Sequence, residues 1–271
     1  MGVTAASRVV LMIGHPVAQT VMPGCFNAWA SETGADAVMV PLDVPPEGFM
    51  GVMELLRRAP NLAGAVITAP HKQAAARAVD AMSDAARLAG AVNVVARRGS
   101  DSLWGDNTDG AGLLAAMTAH GVDPKGLRAL ILGCGGAGSA IAVALAQAGA
   151  TLDLTDPQGD RAAALAAALG PQARAIPSPE DVSPYRLIVN ASAVGLYGNG
   201  LPHDLAGLAP GTLVADVVTS PERTPFLTRA AAQGAPIQTG AEMAAAQLPL
   251  VLDLLGFAGI DKYTPFSKQT F

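Results

Sequence analysis

The sequence is poor in aromatic and charged residues, which make up only 4% and 14% of its 271 residues. Hydrophobic residues reach 51%, and much of that share is alanine. This apolar content is ample for a core and excludes an intrinsically disordered chain. Together with 30 glycines, the alanine favours helices packed closely on a sheet, although genomic composition explains it equally well. The length suits one large domain or two ordinary ones.

Positive charge is not concentrated in any part of the chain. There are 17 Lys and Arg residues against 22 Asp and Glu residues, so the formal net charge is −5. Binding to nucleic acid requires clustered positive charge, which makes nucleic acid a poor candidate partner.

Cysteine is also scarce. Cys25 and Cys134 lie far apart and fit no metal-ligand spacing, so the sequence predicts no metal site. Both are interpreted as free thiols in a reducing compartment. The N-terminal residues lack the charged, apolar and small-residue pattern of a signal peptide. We therefore expect a cytoplasmic protein.

One long run without charge resembles a membrane span. No charged residue occurs between Ala129 and Leu152, which is long enough to cross a bilayer. However, glycines cluster near its start. They divide the run into a strand at Ala129–Leu132, a glycine turn and a helix at Ala137–Ala148. The sequence therefore predicts no contact with a membrane.

Short apolar runs alternate with segments of helical periodicity along the chain. In the first part, strands are predicted at 8–14, 37–44, 64–68 and 91–98. Helices are predicted near 23–33 and 47–58, a third starts at residue 72, and a separate fourth helix ends near residue 119. After a loop at 121–126, strands are predicted at 129–132, 151–156, 185–192 and 212–218, and helices at 137–148, 160–169, 225–233 and 239–256. This order predicts an α/β protein with a mostly parallel sheet in each part.

A glycine motif follows the strand at Ala129–Leu132. It comprises Gly133, Gly135, Gly136, Ala137 and Gly138. The first glycine of the G-x-G-x-x-G pattern permits a tight turn, the second lets the backbone approach a pyrophosphate, and the third lets helix and strand pack closely. The helix N-terminus then offers N–H groups to phosphates. The pattern favours dinucleotide binding over a glycine-rich packing turn.

Asp156, at the end of the next strand, completes this pattern and bears on the choice of cofactor. A carboxylate here accepts hydrogen bonds from a ribose 2′-OH and repels a 2′-phosphate. Pro157 adds no positive charge, whereas Arg161 lies one helix turn further on and is able to reach a phosphate. NAD is therefore favoured and NADP is possible. The alternative for Asp156 is a loop or capping carboxylate.

Lys72 and Asp109 each begin a predicted helix after a strand. In an open parallel sheet such positions converge on one crevice. A lysine and an aspartate that meet there form a proton-handling pair, in which the carboxylate holds and orients the ammonium. Taken singly, each residue is more typical of a surface or a helix cap.

Four other polar residues interrupt apolar segments or lie next to them: Thr20, Thr68, Asn93 and Gln247. Polar groups in such places need hydrogen-bond partners. A backbone partner is the simplest explanation for each one alone.

Together these motifs resemble the shikimate and quinate dehydrogenases over nearly the full length. The matching segments, in order, are IGHPVAQTVMP, VITAPHK, LAGAVN, GDNTDG, GCGGAGSA, NASAVGL, DVVTSPERTPFL and GAEMAAAQ. The order and spacing of eight segments are far more specific than any one of them.

The resemblance implies two α/β domains around a cleft. The N-terminal substrate domain would span residues 1–120, and the C-terminal Rossmann domain, which binds NAD or NADP, residues 121–239. A last helix, 240–271, would pack back on the substrate domain. The resemblance also implies a small-molecule substrate, a role in aromatic amino acid biosynthesis, and a monomer or homodimer.

Residue roles are carried over from the same segments. Lys72 and Asp109 match the catalytic pair, and the substrate positions are Thr20, Met22, Thr68, Asn93, Thr219 and Gln247. Beyond the glycine motif, Asp156 and Arg161, the cofactor positions are Asn190, Val217 and Gly240.

The departures from the family pattern concern recognition of the substrate carboxylate. The family usually has Ser-x-Ser-Pro where this chain has Thr20-Val21-Met22-Pro23, and it often has Tyr at Thr219 and Asn at Val66. A thioether cannot donate a hydrogen bond to a carboxylate. Each charge-assisted hydrogen bond that is lost weakens binding by roughly 1.5–3 kcal/mol. At 155–157, Thr-Asp-Pro replaces the Asn-Arg-Thr of NADP-using members, so the chain resembles a divergent member.

Three functions stay open at this point. The first is reversible hydride transfer between nicotinamide and a ring hydroxyl or ketone of shikimate, quinate or a related polyol acid. The second is the same chemistry on a different alcohol. The third is a nicotinamide-binding sensor without turnover, which the retention of Lys72 and Asp109 disfavours.

Overall fold

The computed structural model of the protein describes residues 3–258, which form two compact units. The first comprises the residues up to Thr108 and those from Ala244 onward, and the second comprises Asp109–Met243. Each unit contains its own six-stranded sheet. The assignment of 1–120 and 121–239 to substrate and cofactor stays a prediction. Of the expected helix 240–271, residues 259–271 lie outside the described residues.

The first unit is built on a mixed sheet. Its strands are β1 (Arg8–Gly14), β2 (Ala37–Asp43), β3 (Leu62–Ile67), β4 (Ala81–Met82), β5 (Val94–Arg98) and β6 (Ser102–Asp106). Its helices are α1 (Met22–Thr33), α2 (Phe49–Arg58), α3 (Lys72–Ala78) and α4 (Asp84–Ala89). The strand order is β2-β1-β3-β5-β6-β4, and β5 is antiparallel to both of its neighbours.

Helical spacing explains how these helices cover the sheet. Phe49, Met53 and Leu56 recur at intervals of four and three residues and are the buried face of α2. Helix α1 ends at Thr33 and is followed by Gly34, whose φ of 74° is left-handed, as is common after a helix. One apolar cluster contains Phe26 and Trp29, and a second contains Phe49.

The second unit is a doubly wound fold with parallel pairing throughout the described sheet. Its strands are β7 (Arg128–Leu132), β8 (Thr151–Thr155), β9 (Ala173–Ala175), β10 (Leu187–Asn190), β11 (Leu213–Asp216) and β12 (Ile237–Gln238). Its helices are α5 (Asp109–Ala119), α6 (Gly136–Gln147), α7 (Gly159–Leu169) and α8 (Pro225–Ala232). A last helix, α9 (Gly240–Leu254), starts in this unit and continues into the first.

In the strand order β12-β11-β10-β7-β8-β9, strands β8 and β9 extend the sheet on one side of β7, and β10, β11 and β12 extend it on the other. The order of the strands therefore reverses between β7 and β10. Open parallel sheets bind ligands outside the carboxyl ends of the strands at such a point. The predicted α/β class and the Rossmann topology of the second half are confirmed. The uncharged run from Ala129 to Leu152 divides as predicted, chiefly into β7 and α6. Among the described residues, no helix has the length and apolarity needed to cross a bilayer.

A buried carboxylate ties β7, β8 and β9 together. Asp153 is 2% exposed, and it accepts hydrogen bonds from Arg128 Nη2 at 2.6 Å, Arg174 Nε at 2.5 Å and Tyr185 OH at 2.7 Å. Burial alone would raise the pKa of Asp153, but the hydrogen bonds from Arg174, Tyr185 and Arg128 outweigh burial and lower the pKa to about 2. This group therefore stabilises the sheet in its ionised form.

We predict that Asp153→Asn lowers the free energy of unfolding by about 2 kcal/mol at pH 7, because a paired buried charge is lost. The pKa is lower in the folded protein than in the unfolded chain. The contribution is thus complete above about pH 4 and is lost as the pH falls toward 2. Urea denaturation of both proteins at pH 7 and pH 3 measures this, with the exposed Glu180→Gln as control. Equal stabilities at pH 7 would contradict it.

Candidate functional site

Two predicted polar residues lie at one edge of the first sheet because of how β3, β5 and β6 pair. Thr68 follows β3, and Asn93 precedes β5. The Ile67 N–H donates to the Asn93 carbonyl at 2.7 Å, and the Asn93 N–H donates to the Asp106 carbonyl at 2.9 Å. The first sheet is mostly parallel, as predicted, but β5 is antiparallel to β3 and β6. Since β5 is antiparallel, its start lies beside the ends of both of its neighbours, β3 and β6.

A buried hydrogen-bond cluster occupies this edge. Asn93, Thr108 and Gln247 are 2%, 3% and 6% exposed. Asn93 Oδ1 accepts the Thr108 backbone N–H at 2.8 Å, and Asn93 Nδ2 donates to Thr108 Oγ1 at 3.1 Å. The Thr108 hydroxyl donates to Gln247 Oε1 at 3.0 Å, and Asn93 Nδ2 lies 3.4 Å from the same oxygen. Two predicted substrate residues, Asn93 and Gln247, are thus joined through Thr108, for which no site role was predicted.

Lys72 is the first residue of α3, as predicted, and it is half-buried. The Val92 N–H donates to its carbonyl at 2.9 Å, which ties the start of the helix to the residue before Asn93. The preceding His71 is buried, stacks on Phe49 with ring centroids 4.6 Å apart, and contacts the carbonyl oxygen of Val44 through Nε2 at 2.6 Å. The backbone that carries Lys72 is therefore held from both sides.

The segment at Thr20 and Met22 offers little to a carboxylate. The Thr20 hydroxyl donates to the carbonyl oxygen of Val17 at 2.8 Å, so its single hydrogen is already engaged. The Met22 side chain is 5% exposed and packs in the cluster that contains Phe26 and Trp29. Neither side chain presents a donor in this arrangement.

Asp109 and Thr219 belong to the second unit. Asp109 is the first residue of α5, is 4% exposed, and follows Thr108 of the buried cluster directly in the chain. Thr219 is half-buried and lies three residues after the end of β11. The pairing of Lys72 with Asp109 stays a prediction.

The glycine loop between β7 and α6 has the backbone that a dinucleotide requires. Gly133 has a φ of 104°, in the left-handed region that favours glycine. A Cβ on Gly138 would clash with the carbonyl oxygen of Gly133, so the third glycine allows helix and strand to pack. A Cβ on Gly135 would meet no atom within 4 Å. The start of α6 therefore faces open space, with Gly136 and Ala137 as its first residues.

A cavity of about 540 Å³ adjoins this loop. Gly133, Asp156, Ser192, Val194 and Pro202 are among its lining residues. Asp156 Oδ2 accepts the Cys134 N–H at 2.7 Å, and Asp156 Oδ1 accepts the Gln158 N–H at 2.8 Å. These bonds fix a carboxylate at the wall of the cavity.

The other predicted cofactor residues belong to the second unit but do not line this cavity: Arg161, Asn190, Val217 and Gly240. Arg161 is exposed in the first turn of α7. A Cβ on Gly240 would clash with the carbonyl oxygen of Val218 and lie 2.8 Å from that of Val217, so α9 starts in close contact with the segment after β11. Burial and the nearby Asp156 raise the pKa of the Cys134 thiol to about 12, so Cys134 is an inert thiol.

Asp216, which ends β11 and is 2% exposed, was not among the predicted site residues. Its Oδ1 accepts Asn190 Nδ2 at 2.9 Å and the Val218 N–H at 3.0 Å, and its Oδ2 accepts the Thr224 hydroxyl at 2.7 Å. Burial raises the pKa of Asp216 to about 6 despite these bonds. The only signal in the sequence was an acidic residue that closes an apolar strand, which is also typical of a loop.

Comparison with known proteins identifies the family to which the chain belongs. The family model for the shikimate dehydrogenase substrate binding domain matches residues 12–95. A shikimate dehydrogenase (NADP(+)) from Acidiphilium cryptum (strain JF-5) is 40% identical over 234 residues, which cover 84% of this chain and 83% of the relative.

Two solved structures are similar along nearly the whole chain. One is shikimate 5-dehydrogenase from Thermus thermophilus in complex with NADP(H) and shikimate, with 34% identity, a TM-score of 0.79, and coverage of 91% of this chain and 92% of that one. The other is ligand-free 5-ketofructose reductase of Gluconobacter sp. strain CHM43, with 31% identity, a TM-score of 0.79, and coverage of 92% and 93%. The chain therefore belongs to the shikimate dehydrogenase family of nicotinamide-dependent oxidoreductases.

Proposed function

We propose that this protein transfers hydride reversibly between a nicotinamide cofactor and a ring hydroxyl or ketone, with shikimate and 3-dehydroshikimate as the first pair to test and quinate as the next. The observation that carries this proposal is the buried cluster of Asn93, Thr108 and Gln247 next to the start of α3. Side-chain amides and a hydroxyl both donate and accept hydrogen bonds, which suits a substrate with several hydroxyl groups.

Lys72 would move the proton. When the ketone is reduced, the Lys72 ammonium donates a proton to the oxygen that becomes a hydroxyl, and in oxidation the neutral amine removes it. Asp109 would hold and stabilise the ammonium. A bound nicotinamide supplies or accepts the hydride. Asn93 and Gln247 would orient the ring so that the reacting carbon is held in one position.

The glycine loop and Asp156 would hold the cofactor. The turn at Gly133 and the open space at Gly135 fit a pyrophosphate, and the start of α6 offers N–H groups to it. We infer a preference for NAD, because the fixed carboxylate of Asp156 accepts hydrogen bonds from a 2′-OH and repels a 2′-phosphate. The relatives named shikimate dehydrogenase (NADP(+)) support the opposite choice, so this preference rests on Asp156.

A second candidate is the same reaction on a polyol or ketose without a carboxylate. The Thr20 hydroxyl is engaged by Val17, and Met22 is buried in the core. Both positions bind the carboxylate in the family that the chain resembles. The similarity to a 5-ketofructose reductase adds support, because its named substrate is a sugar ketone.

We predict that Lys72→Met lowers kcat by at least about 100-fold, because positioned general acids and bases contribute 10²–10⁴-fold. Steady-state oxidation, followed by absorbance of the reduced nicotinamide, measures the change. Arg77→Met is the matched control, since it removes an exposed cation from the last turn of the same helix. NADH binding to both variants should match wild type. If Lys72→Met retained wild-type turnover, the proposed mechanism would be wrong.

The inferred cofactor preference gives a second prediction. Wild type should show a higher kcat/KM with NAD than with NADP, and Asp156→Asn should shift that ratio about tenfold toward NADP by removing the repulsion of the 2′-phosphate. Asp160→Asn is the control, because it removes an exposed carboxylate near the start of α7. A wild-type preference for NADP that Asp156→Asn does not change would contradict the role given to Asp156.

The substrate class is tested with a panel. Shikimate, quinate and neutral cyclic polyols are assayed in oxidation, and 5-keto-D-fructose is assayed in reduction, each with both cofactors. If kcat/KM is higher for shikimate or quinate than for the neutral compounds, the first candidate is supported. This result would also show that Met22 is tolerated. The reverse order would support the second candidate. Cofactor binding without turnover of any compound would contradict both and leave the sensor function.

A further inference from the structure

We propose that Asp216 is a positioning residue of the cofactor site, although it does not line the cavity. The proposal rests on the proposed binding of a nicotinamide cofactor beside Gly133. It concerns how the loop at 191–195, which follows β10 and contributes Ser192 and Val194 to the wall of the cavity, is held in place.

The first step is the orientation of Asn190, which ends β10 and is fully buried. An ionised carboxylate only accepts hydrogen bonds, so Asp216 Oδ1 requires the NH₂ group of Asn190 to face it, at 2.9 Å. The amide oxygen of Asn190 must then point the other way. Asp216 thereby selects one of the two orientations of this amide.

The second step runs from Asn190 into the loop. Asn190 Oδ1 accepts the Ser192 N–H at 3.1 Å and the Ser192 hydroxyl at 2.7 Å, and Asn190 Nδ2 also donates to the Val194 carbonyl at 2.9 Å. The Val194 N–H donates to Ser192 Oγ at 3.2 Å. A flipped amide would place donor against donor at Ser192. The conformation of this loop therefore depends on the orientation of Asn190.

The third step connects the loop to the cofactor. Ser192 and Val194 line the cavity together with Gly133 and Asp156. A Cβ on Gly133 would lie 3.0 Å from both the backbone nitrogen and the Cβ of Ser192, so the loop packs directly on the glycine turn. A displaced loop would alter the wall against which the cofactor binds.

The same carboxylate also holds the segment after β11. It accepts the Val218 N–H and the Thr224 hydroxyl, and Thr224 is the N-cap of α8. The carbonyl oxygens of Val217 and Val218 closely approach Gly240 at the start of α9. Asp216 thus fixes two segments at the carboxyl edge of the second sheet.

The experiment measures binding of NADH and NADPH by fluorescence titration, which needs no substrate. Asp216→Asn is expected to raise the dissociation constant of the preferred cofactor about tenfold, where the preferred cofactor is the one that the wild type binds more tightly. This is the equivalent of one or two ordered hydrogen bonds. The KM for this cofactor should rise by the same factor, and kcat at saturating cofactor should change less than about threefold. Asp153→Asn, a buried carboxylate of the same sheet, should lower stability and leave the affinity unchanged.

A double-mutant cycle separates positioning from general destabilisation. If Asp216 acts through the loop, Ser192→Ala weakens binding, and the double variant Asp216→Asn/Ser192→Ala is no weaker than the weaker single variant. The proposal would be overturned if the effects of the two single substitutions on the dissociation constant multiply in the double variant. It would also be overturned if Asp216→Asn bound the cofactor with wild-type affinity.

A second pair of variants decides the matter if Asp216→Asn does not fold. Thr224→Val removes one donor to the carboxylate, whereas Thr224→Ser keeps both the donor and the helix cap. Weaker cofactor binding in Thr224→Val alone supports the proposal, and equal binding in the two variants overturns it. A wild-type protein that binds neither NADH nor NADPH would instead refute the proposed function, and the role of Asp216 with it.

Discussion

A buried side-chain amide at the end or start of a strand is the interaction on which both candidate sites depend. Asn93 precedes β5, Asn190 ends β10, and they are 2% and 0% exposed. The side-chain oxygen of Asn93 accepts the backbone N–H of Thr108, and the side-chain oxygen of Asn190 accepts the backbone N–H of Ser192. Both donors lie in loops. An unpaired buried amide group costs about 1–3 kcal/mol, so each amide constrains the loop that it bonds. The loops that carry the candidate chemistry are thereby held by the sheets.

The local parts of the sites could be predicted from sequence because their signals are local. The start of α3 at Lys72 follows from its own strand-to-helix segment, and the glycine turn and Asp156 follow from two successive strands of the second unit. The direction of β5 did not follow, because an apolar run of this length fits either direction of pairing. The two-residue strand β4 is too short to produce a periodic pattern.

The hydrogen-bond partners could not be predicted because they are distant in sequence. Thr108 bonds to Gln247 across 139 positions of the chain, and Asp216 meets Asn190 across 26. Spacing along a strand indicates which residues share a face but not which distant side chain completes a bond. Thr108 and Asp216 each resemble an ordinary residue at a helix cap or a strand end until the fold supplies the partners.

Two buried carboxylates of the second sheet differ in a way that separates stability from positioning. Asp153 has two guanidinium partners, and its pKa is lowered to about 2. Asp216 accepts its hydrogen bonds from neutral donors, and burial raises its pKa to about 6. Because the folded state then favours the protonated form, the stabilising contribution of Asp216 is full below about pH 4 and is lost as the pH rises through 6.

At neutral pH the ionised form of Asp216 therefore favours folding less than its protonated form does at low pH. Ionisation of this carboxylate is therefore not explained by stability. The same group, in its ionised form, fixes the amide of Asn190 and through it Ser192 at the wall of the cavity. This contrast with Asp153 is the physical reason to assign Asp216 to the shape of the cofactor site rather than to the stability of the sheet.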